Sequence, residues 1–235
     1  MPQPILFSLI DKVIYDYNLI QDGDKILIGA SGGKDSTALI EYFANRVKRP
    51  NCNFEYKALA IQSDFSPAFP ENIKNLFDKW NVPFEIVDVD IMARLKPGRK
   101  MNCYWCSTQR RSELLKYAME HGYNKIALGH HLDDVLETLL MNMIDQRKLT
   151  AMPPLLTYDN YPVSIIRPLS YAPEDLIIEH ATLGGFIGWT CTCNYQENSN
   201  RKKARQQLEA ITGGDRNKKK HIFESLKNID TRYLP

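Results

Sequence analysis

The stretch "ILIGASGGKDSTALIEY" (26–42) limits the possible folds more than any other part of the chain. Ile26 to Ala30 form a short apolar run ending in small residues, which reads as a buried strand, and a helical pattern follows from about Asp35. Between them stand Gly32 and Gly33. Glycine tolerates positive φ and lets backbone N–H groups come close to a ligand. The start of the following helix favours an anion. Ser31, Ser36 and Thr37 bring hydroxyls and Lys34 a positive charge, so the junction is a phosphate cradle. A Walker A loop has the spacing G-x-x-x-x-G-K-[ST]; here Gly29 and Gly33 have three residues between them and Asp35 follows the lysine. An aspartate beside phosphates repels them unless a cation such as Mg²⁺ bridges the two, which makes Asp35 a candidate catalytic residue. A plain Gly-Gly turn would account for the glycines but not for the Ser, Lys and Asp around them.

Runs of the same apolar kind recur in "YKALAIQS" (56–63), "PFEIVDV" (83–89) and "NKIALG" (124–129). Helical patterns separate or flank them. One covers about 5–20. Others are "PENIKNLFDKW" (70–80) and "STQRRSELLKYAMEHG" (107–122), which ends at Gly122. "DDVLETLLMNMI" (133–144) puts Leu136, Leu139, Leu140 and Met143 on one face. "YAPEDLIIEHATLGG" (171–185) has Pro173 in its first turn and Gly184 or Gly185 at its end. Alternating strands and helices predict an α/β fold, an open, Rossmann-like parallel sheet with helices on both faces. A length of 235 residues suits one large domain with a small appendage. The expected division is a helical segment at 1–22, the phosphate-loop domain at 23–190, and a cysteine-containing, basic helical tail at 191–235.

"GHHLDD" (129–134) follows the fourth strand. Gly129, His130 and His131 fall at the strand's end, where open α/β sheets bind ligands. Asp133 and Asp134 open the next helix. They can cap its N–H groups, but beside a phosphate loop they are also candidate site carboxylates. Arg167 follows Ile165 and Ile166 near a strand end and is a candidate phosphate or RNA contact.

Cys103 and Cys106 form a C-x-x-C pair ahead of a basic helix. Such a pair can cycle as a disulfide, with Cys106 activated by the helix start. With Cys191 and Cys193 it can make a four-sulfur zinc site, although C-x-C sends adjacent side chains apart in an extended chain. It can also carry an iron–sulfur cluster. The residues alone leave all three open. Cys52, in "PNCNF", has no neighbour in the sequence to pair with.

Net charge is +2, but residues 199–235 hold ten Lys/Arg against four Asp/Glu, which leaves −4 for the rest. A basic tail suggests a polyanion, with Arg201, Lys202, Lys203 and Arg205, and also Arg110 and Arg111, as candidate RNA-phosphate contacts. A solvated helix surface is the plainer alternative. The N-terminus lacks a signal-peptide pattern, and no apolar run reaches the length of a membrane span. Five clustered cysteines do not suit a secreted scaffold, so a cytoplasmic protein without a membrane partner is expected.

"SGGKDS" resembles the signature of the PP-loop ATP pyrophosphatases, a group with the adenine-nucleotide α-hydrolase fold. These enzymes cleave ATP between its α and β phosphates and adenylate a carbonyl or amide oxygen. "CYWCSTQRR", "ALGHHLDDVLETLLMNMI", "KLTAMPP" (148–154) and "IIRPLSY" (165–171) are similar to the tRNA 2-thiocytidine synthetase branch, over about residues 20–208. The resemblance implies ATP-dependent thiolation of a tRNA pyrimidine, a cytidine, with Mg²⁺ as cofactor. Ser31, Gly32, Gly33, Lys34, Asp35 and Ser36 would hold the phosphates. Ser63, Gly129, His130 and Asp134 would face the nucleotide, and Asp35, Asp133 and Asp134 would serve catalysis. Arg167 and Pro168 would belong to a late strand lining the site. A [4Fe–4S] cluster would be held by Cys103, Cys106 and Cys193, with Cys191 in reserve. Expected partners are tRNA and a sulfur donor such as a cysteine desulfurase or free sulfide, and a homodimer is entertained as the assembly. Relatives of this branch carry an aspartate where this chain has Ser63; Asp64 is one residue further on. The competing readings are a lysidine-synthetase-like tRNA modification and a zinc-stabilised nucleotide-binding regulator.

Overall fold

A computed structural model describes residues 3–50, 53–96, 98, 101–187 and 200–233, without the side chains of Cys103 and Tyr104. The apolar runs become strands β1 (Lys25–Gly29), β2 (Glu55–Ser63), β3 (Phe84–Val89) and β4 (Lys125–Ala127). Two more follow, β5 (Leu155–Tyr158) and β6 (Tyr161–Ile166). The sheet order is β3-β2-β1-β4-β6-β5, parallel throughout except for β5, an antiparallel edge strand paired to β6 by a short hairpin. The sequence reading did not foresee that edge strand.

Successive residues of β1 enter different cores. Ile26 and Ile28 pack with helices α1 (Ile5–Asp16), α2 (Lys34–Arg46), α3 (Glu71–Trp80) and α6 (Glu174–Gly184). Leu27 packs with Leu114, Tyr117 and Ala118 of α4 (Cys103–Glu120) on the other face. This is the period-2 alternation of a sheet covered on both sides, and it explains why β1 reads as continuously apolar.

Three details differ from the sequence expectation. Helix α4 starts at Cys103 instead of Ser107, because the Asn102 side chain accepts the Trp105 N–H and caps it there. The cysteine pair therefore lies in the first helical turn. In α5 (Leu132–Gln146) Leu136 and Leu139 are buried as expected, but Met143 is exposed because the last turn runs past the helices packed on it. Those helices are α7 (Asn200–Thr212) and α8 (Arg216–Ser225), from the segment read as a tail. Leu208 and Phe223 share a core with Leu132, Val135, Leu136 and Leu139 of α5. No helix among the described residues is long and apolar enough to cross a membrane.

Candidate active site

Strand order reverses between β1 and β4: β2 and β3 lie to one side of β1, β4 and β6 to the other. Open α/β sheets form a ligand crevice outside the carboxyl ends of the strands at such a switch point. The loop 30–33 leaves β1 there and enters α2, and residues 128–131 leave β4 and enter α5. Helix α4 returns from β3 to β4 antiparallel to the strands, so its first turn, with the cysteine pair, starts at the same edge of the sheet.

The loop is tightly made. Gly32 has φ +78°, a conformation that disfavours a side chain, and a Cβ there would stand 3.0 Å from Pro70. The hydroxyls of Ser31 and Ser36 lie 2.9 Å apart, and Ser36 also accepts the Ser31 N–H and donates to the Gly33 carbonyl. A Cβ at Gly129 would stand 3.0 Å from the Ser36 nitrogen and 3.2 Å from the Asp35 carbonyl carbon. The two motifs thus touch backbone to backbone, and only glycine permits the approach. Buried side-chain atoms without hydrogen bonds lie on the elements around it: Asp35 Oδ1, Thr37 Oγ1 and, at the end of β2, Ser63 Oγ. Unsatisfied buried polar atoms are costly, and their grouping around a phosphate-type loop fits a polar ligand such as a nucleotide.

Charges around the loop are linked. Lys34 Nζ lies 3.0 Å from Glu174 and 3.2 Å from Asp35. Burial pulls Lys34 down, but Asp35 and Glu174 outweigh it and hold it above the usual lysine range. Burial pushes the Asp35 carboxyl up against the opposing pull of His131 and Lys34. Asp134 accepts the His131 N–H, lies 3.5 Å from His131 Nε2 and pairs with Arg201 at 2.7 Å. Burial would raise its carboxyl, but His131 and Arg201 keep it low. Glu137, one turn further along α5 and fully buried, faces Arg205 at 2.7 Å and Arg201 at 3.7 Å. Arg205 also reaches Glu174 at 3.8 Å. Lys34, Glu174, Arg205, Glu137, Arg201 and Asp134 form one chain of alternating charge around the loop. Sequence reasoning missed Glu137 and Glu174.

Several candidates stand differently from their expected roles. Asp133 is committed on both oxygens: Oδ1 pairs with the buried Lys219 of α8 at 2.6 Å, and Oδ2 accepts the Glu174 N–H at the start of α6. It ties α5, α6 and α8 together. Arg167 is buried, with its guanidinium donating to the Pro153 carbonyl at 2.7 Å and to His130 Nδ1 at 3.3 Å. It fixes the "AMPP" segment beside His130. Burial lowers His130 to about 4, so it is neutral and can accept that bond. Arg201 and Arg205 are turned onto carboxylates, whereas Lys202 and Lys203 are exposed. Arg111 is exposed on α4, near enough to His130 and Arg167 to act on both, and Arg110 is half-buried. Asp64 accepts the N–H groups of Ile91 and Met92, so it anchors the β3–α4 connection, while Ser63 points its hydroxyl inward.

Of the cysteines, Cys106 is buried beside Ile91 and Met101, with Trp105 and Leu95 against them. Cys106 thus offers one thiol in apolar surroundings of the kind a thiolate-held metal group takes. Cys52, the Cys103 side chain, Cys191 and Cys193 lie outside the described residues. Among the described residues no group of three or more His, Cys, Asp and Glu is arranged to hold a metal ion.

Comparison with known proteins agrees with this geometry. The family model of the PP-loop domain matches residues 7–211. The chain is 39% identical to a tRNA-cytidine(32) 2-sulfurtransferase from Acaryochloris marina, over 99% of this chain and 83% of that protein. It is 38% identical to one from Cellvibrio japonicus, over 95% and 75%. Among solved structures, the U34-tRNA thiolase NcsA from Methanococcus maripaludis, with its [4Fe–4S] cluster, superposes with a TM-score of 0.73 at 21% identity, covering 94% of this chain and 77% of that one. The NMN synthetase from Francisella tularensis gives 0.55 at 14%, covering 89% and 87%. At those identities the two structures speak for the fold alone.

Proposed function

The chain belongs to the PP-loop family and, within it, to the tRNA 2-thiocytidine synthetase branch, and from that premise we propose that it is an ATP-dependent tRNA thiolase acting on a cytidine. The observation that carries the reading is the backbone contact between the phosphate loop and the "GHHLDD" turn. It closes a cradle lined by unsatisfied polar atoms at the switch point of the sheet.

ATP would lie with its phosphates on the N–H groups of residues 31–36 and the start of α2, where backbone dipoles favour an anion. Ser63 supports the nucleotide from the end of β2. Asp35 and Asp134 would be the carboxylates that hold Mg²⁺, and the ion would neutralise the phosphates. The C2 oxygen of the base attacks the α-phosphorus, the bond to the β-phosphate oxygen breaks, and pyrophosphate leaves. Adenylation makes C2 electrophilic, and sulfur then displaces AMP together with the former carbonyl oxygen. A [4Fe–4S] cluster would be held by Cys103, Cys106 and Cys193 and, when bound, would carry the donor's sulfide to the base. Lys34 balances charge at the leaving group, and neutral His130 orients Arg167. The partners of this reading are tRNA and a sulfur donor, either a cysteine desulfurase or free sulfide, in the cytoplasm.

The test is nucleoside mass spectrometry of tRNA from a strain lacking the gene. Loss of 2-thiocytidine, restored by the wild-type chain and not by Asp35→Ala, is the expected result. Unchanged 2-thiocytidine, or loss of a lysidine-type nucleoside instead, overturns the reading.

A further inference from the structure

We propose that Arg201 and Arg205 bind the triphosphate of ATP and the pyrophosphate released from it. Helix α7 would then have two jobs, an arginine face for the nucleotide and a lysine face, Lys202 and Lys203, for RNA. The inference rests on reading the crevice as an ATP site. Arg201 and Arg205 are spaced i, i+4 and so share a face of α7. Both turn onto carboxylates linked to the loop: Arg201 to Asp134 at 2.7 Å, Arg205 to Glu137 at 2.7 Å and towards Glu174 at 3.8 Å. Glu174 in turn holds Lys34 of the phosphate loop at 3.0 Å. Lys202 and Lys203, at the intervening positions, are exposed.

Three physical points favour a ligand role over a purely structural one. First, charge. Asp35, Asp134, Glu137 and Glu174 are four carboxylates at the loop, and Lys34, Arg201 and Arg205 are the three side chains of fixed positive charge paired with them. Without the arginines a single lysine faces four acids, and a polyphosphate would be repelled even with one divalent ion. Second, donors. A guanidinium is a rigid fork of several N–H groups, and at 43% and 55% side-chain exposure both arginines keep edges open to a ligand. Third, Glu137. A fully buried carboxylate is an expensive way to join two helices, since apolar side chains of similar volume serve as well or better. Its placement is explained if it is a positioning residue that aims the two guanidiniums at phosphate.

RNA phosphates offer the same chemistry, so the experiment has two arms. The full chain and its variants are titrated with a non-hydrolysable Mg·ATP analogue and with pyrophosphate in the absence of tRNA, and separately with tRNA over a salt series. Arg201→Gln should weaken both nucleotide and pyrophosphate binding by about tenfold or more, with the tRNA salt slope unchanged. The double variant Lys202→Gln/Lys203→Gln should flatten the tRNA salt slope and keep the wild-type nucleotide affinity. Arg205→Gln alone strands Glu137, so Arg205→Gln is made together with Glu137→Gln. That pair should fold, as judged by circular dichroism, and bind nucleotide as poorly as Arg201→Gln, while Arg205→Lys should restore part of the affinity. Wild-type nucleotide binding in Arg201→Gln together with weakened tRNA binding would overturn the proposal and return the arginines to RNA. A wild-type chain that binds no Mg·ATP analogue would overturn the ATP-site reading and this inference with it.

Discussion

Lys219 reaches Asp133 across 2.6 Å, and both side chains are almost completely buried. The pair joins the first turn of α5 to α8, and the other oxygen of Asp133 holds the start of α6. Removing one partner of such a pair leaves an uncompensated buried charge, which costs about 3–5 kcal/mol. Asp133→Asn should therefore lower unfolding free energy by roughly that amount in urea titrations. Asp35→Asn should stay within about 1 kcal/mol of wild type, as expected for a residue at a helix start, yet lose turnover. A fully stable but inactive Asp133→Asn would put Asp133 back among the catalytic residues.

Gly129 gives a steric test that involves no charge. A Cβ at this position meets the Ser36 nitrogen at 3.0 Å, and that neighbour is backbone which cannot swing aside. Gly129→Ala should separate β4 from α2, costing about 1–3 kcal/mol as overpacking does and weakening nucleotide binding at least tenfold. The comparison is Gly23→Ala, where no atom lies within 4 Å and only backbone strain at φ +82° applies. That variant should keep wild-type nucleotide affinity.

His130 sets an acid limit on stability. Burial, with Arg167, Arg201 and Arg111 nearby, lowers its pKa from 6.5 to about 4, against the opposing pull of Asp134. A histidine depressed in the folded state is protonated first in the unfolded chain. Its contribution is complete above about 6.5 and is lost as pH falls towards about 4. The loss is on the order of 3 kcal/mol. His130→Asn keeps an acceptor for Arg167 and does not titrate in this range, so its stability should fall less between those pH values. Parallel pH profiles for the two proteins would show that His130 is not the group responsible.

The cysteine chemistry separates iron from zinc. Anaerobically purified protein should contain iron and acid-labile sulfide. Cys103→Ser, Cys106→Ser and Cys193→Ser should lose both, and Cys191→Ser should keep most of them. Stoichiometric zinc, lost in all four single cysteine variants, would instead indicate a tetrahedral structural site and would remove the proposed route for sulfur.

What was legible in the sequence is what is local. "SGGKDS" and "GHHLDD" each carry their chemistry within a few residues, and the strand–helix alternation around them is enough to give the class of sheet. Pairings across long separations were not legible. Lys219 looks like one of three consecutive lysines, yet it alone is buried against Asp133. Arg201 and Arg205 look like an RNA-binding tail until α7 folds onto α5. Glu137 offered a signal that went unused: an acid set between Leu136 and Leu139 on a core-facing helix needs a cation from elsewhere. The edge strand Leu155–Tyr158 is too short, and interrupted by a register shift, for its alternation to stand out.

The most direct test of ATP-dependent thiolation is a single-turnover assay of the cluster-loaded, full-length chain with tRNA, Mg·ATP and sulfide, following nucleotide products and modified nucleosides together. The expected result is AMP and pyrophosphate in equal amounts, with 2-thiocytidine formed to match, and neither product without tRNA. ADP and orthophosphate as products, or AMP release that leaves every cytidine unmodified, would contradict it.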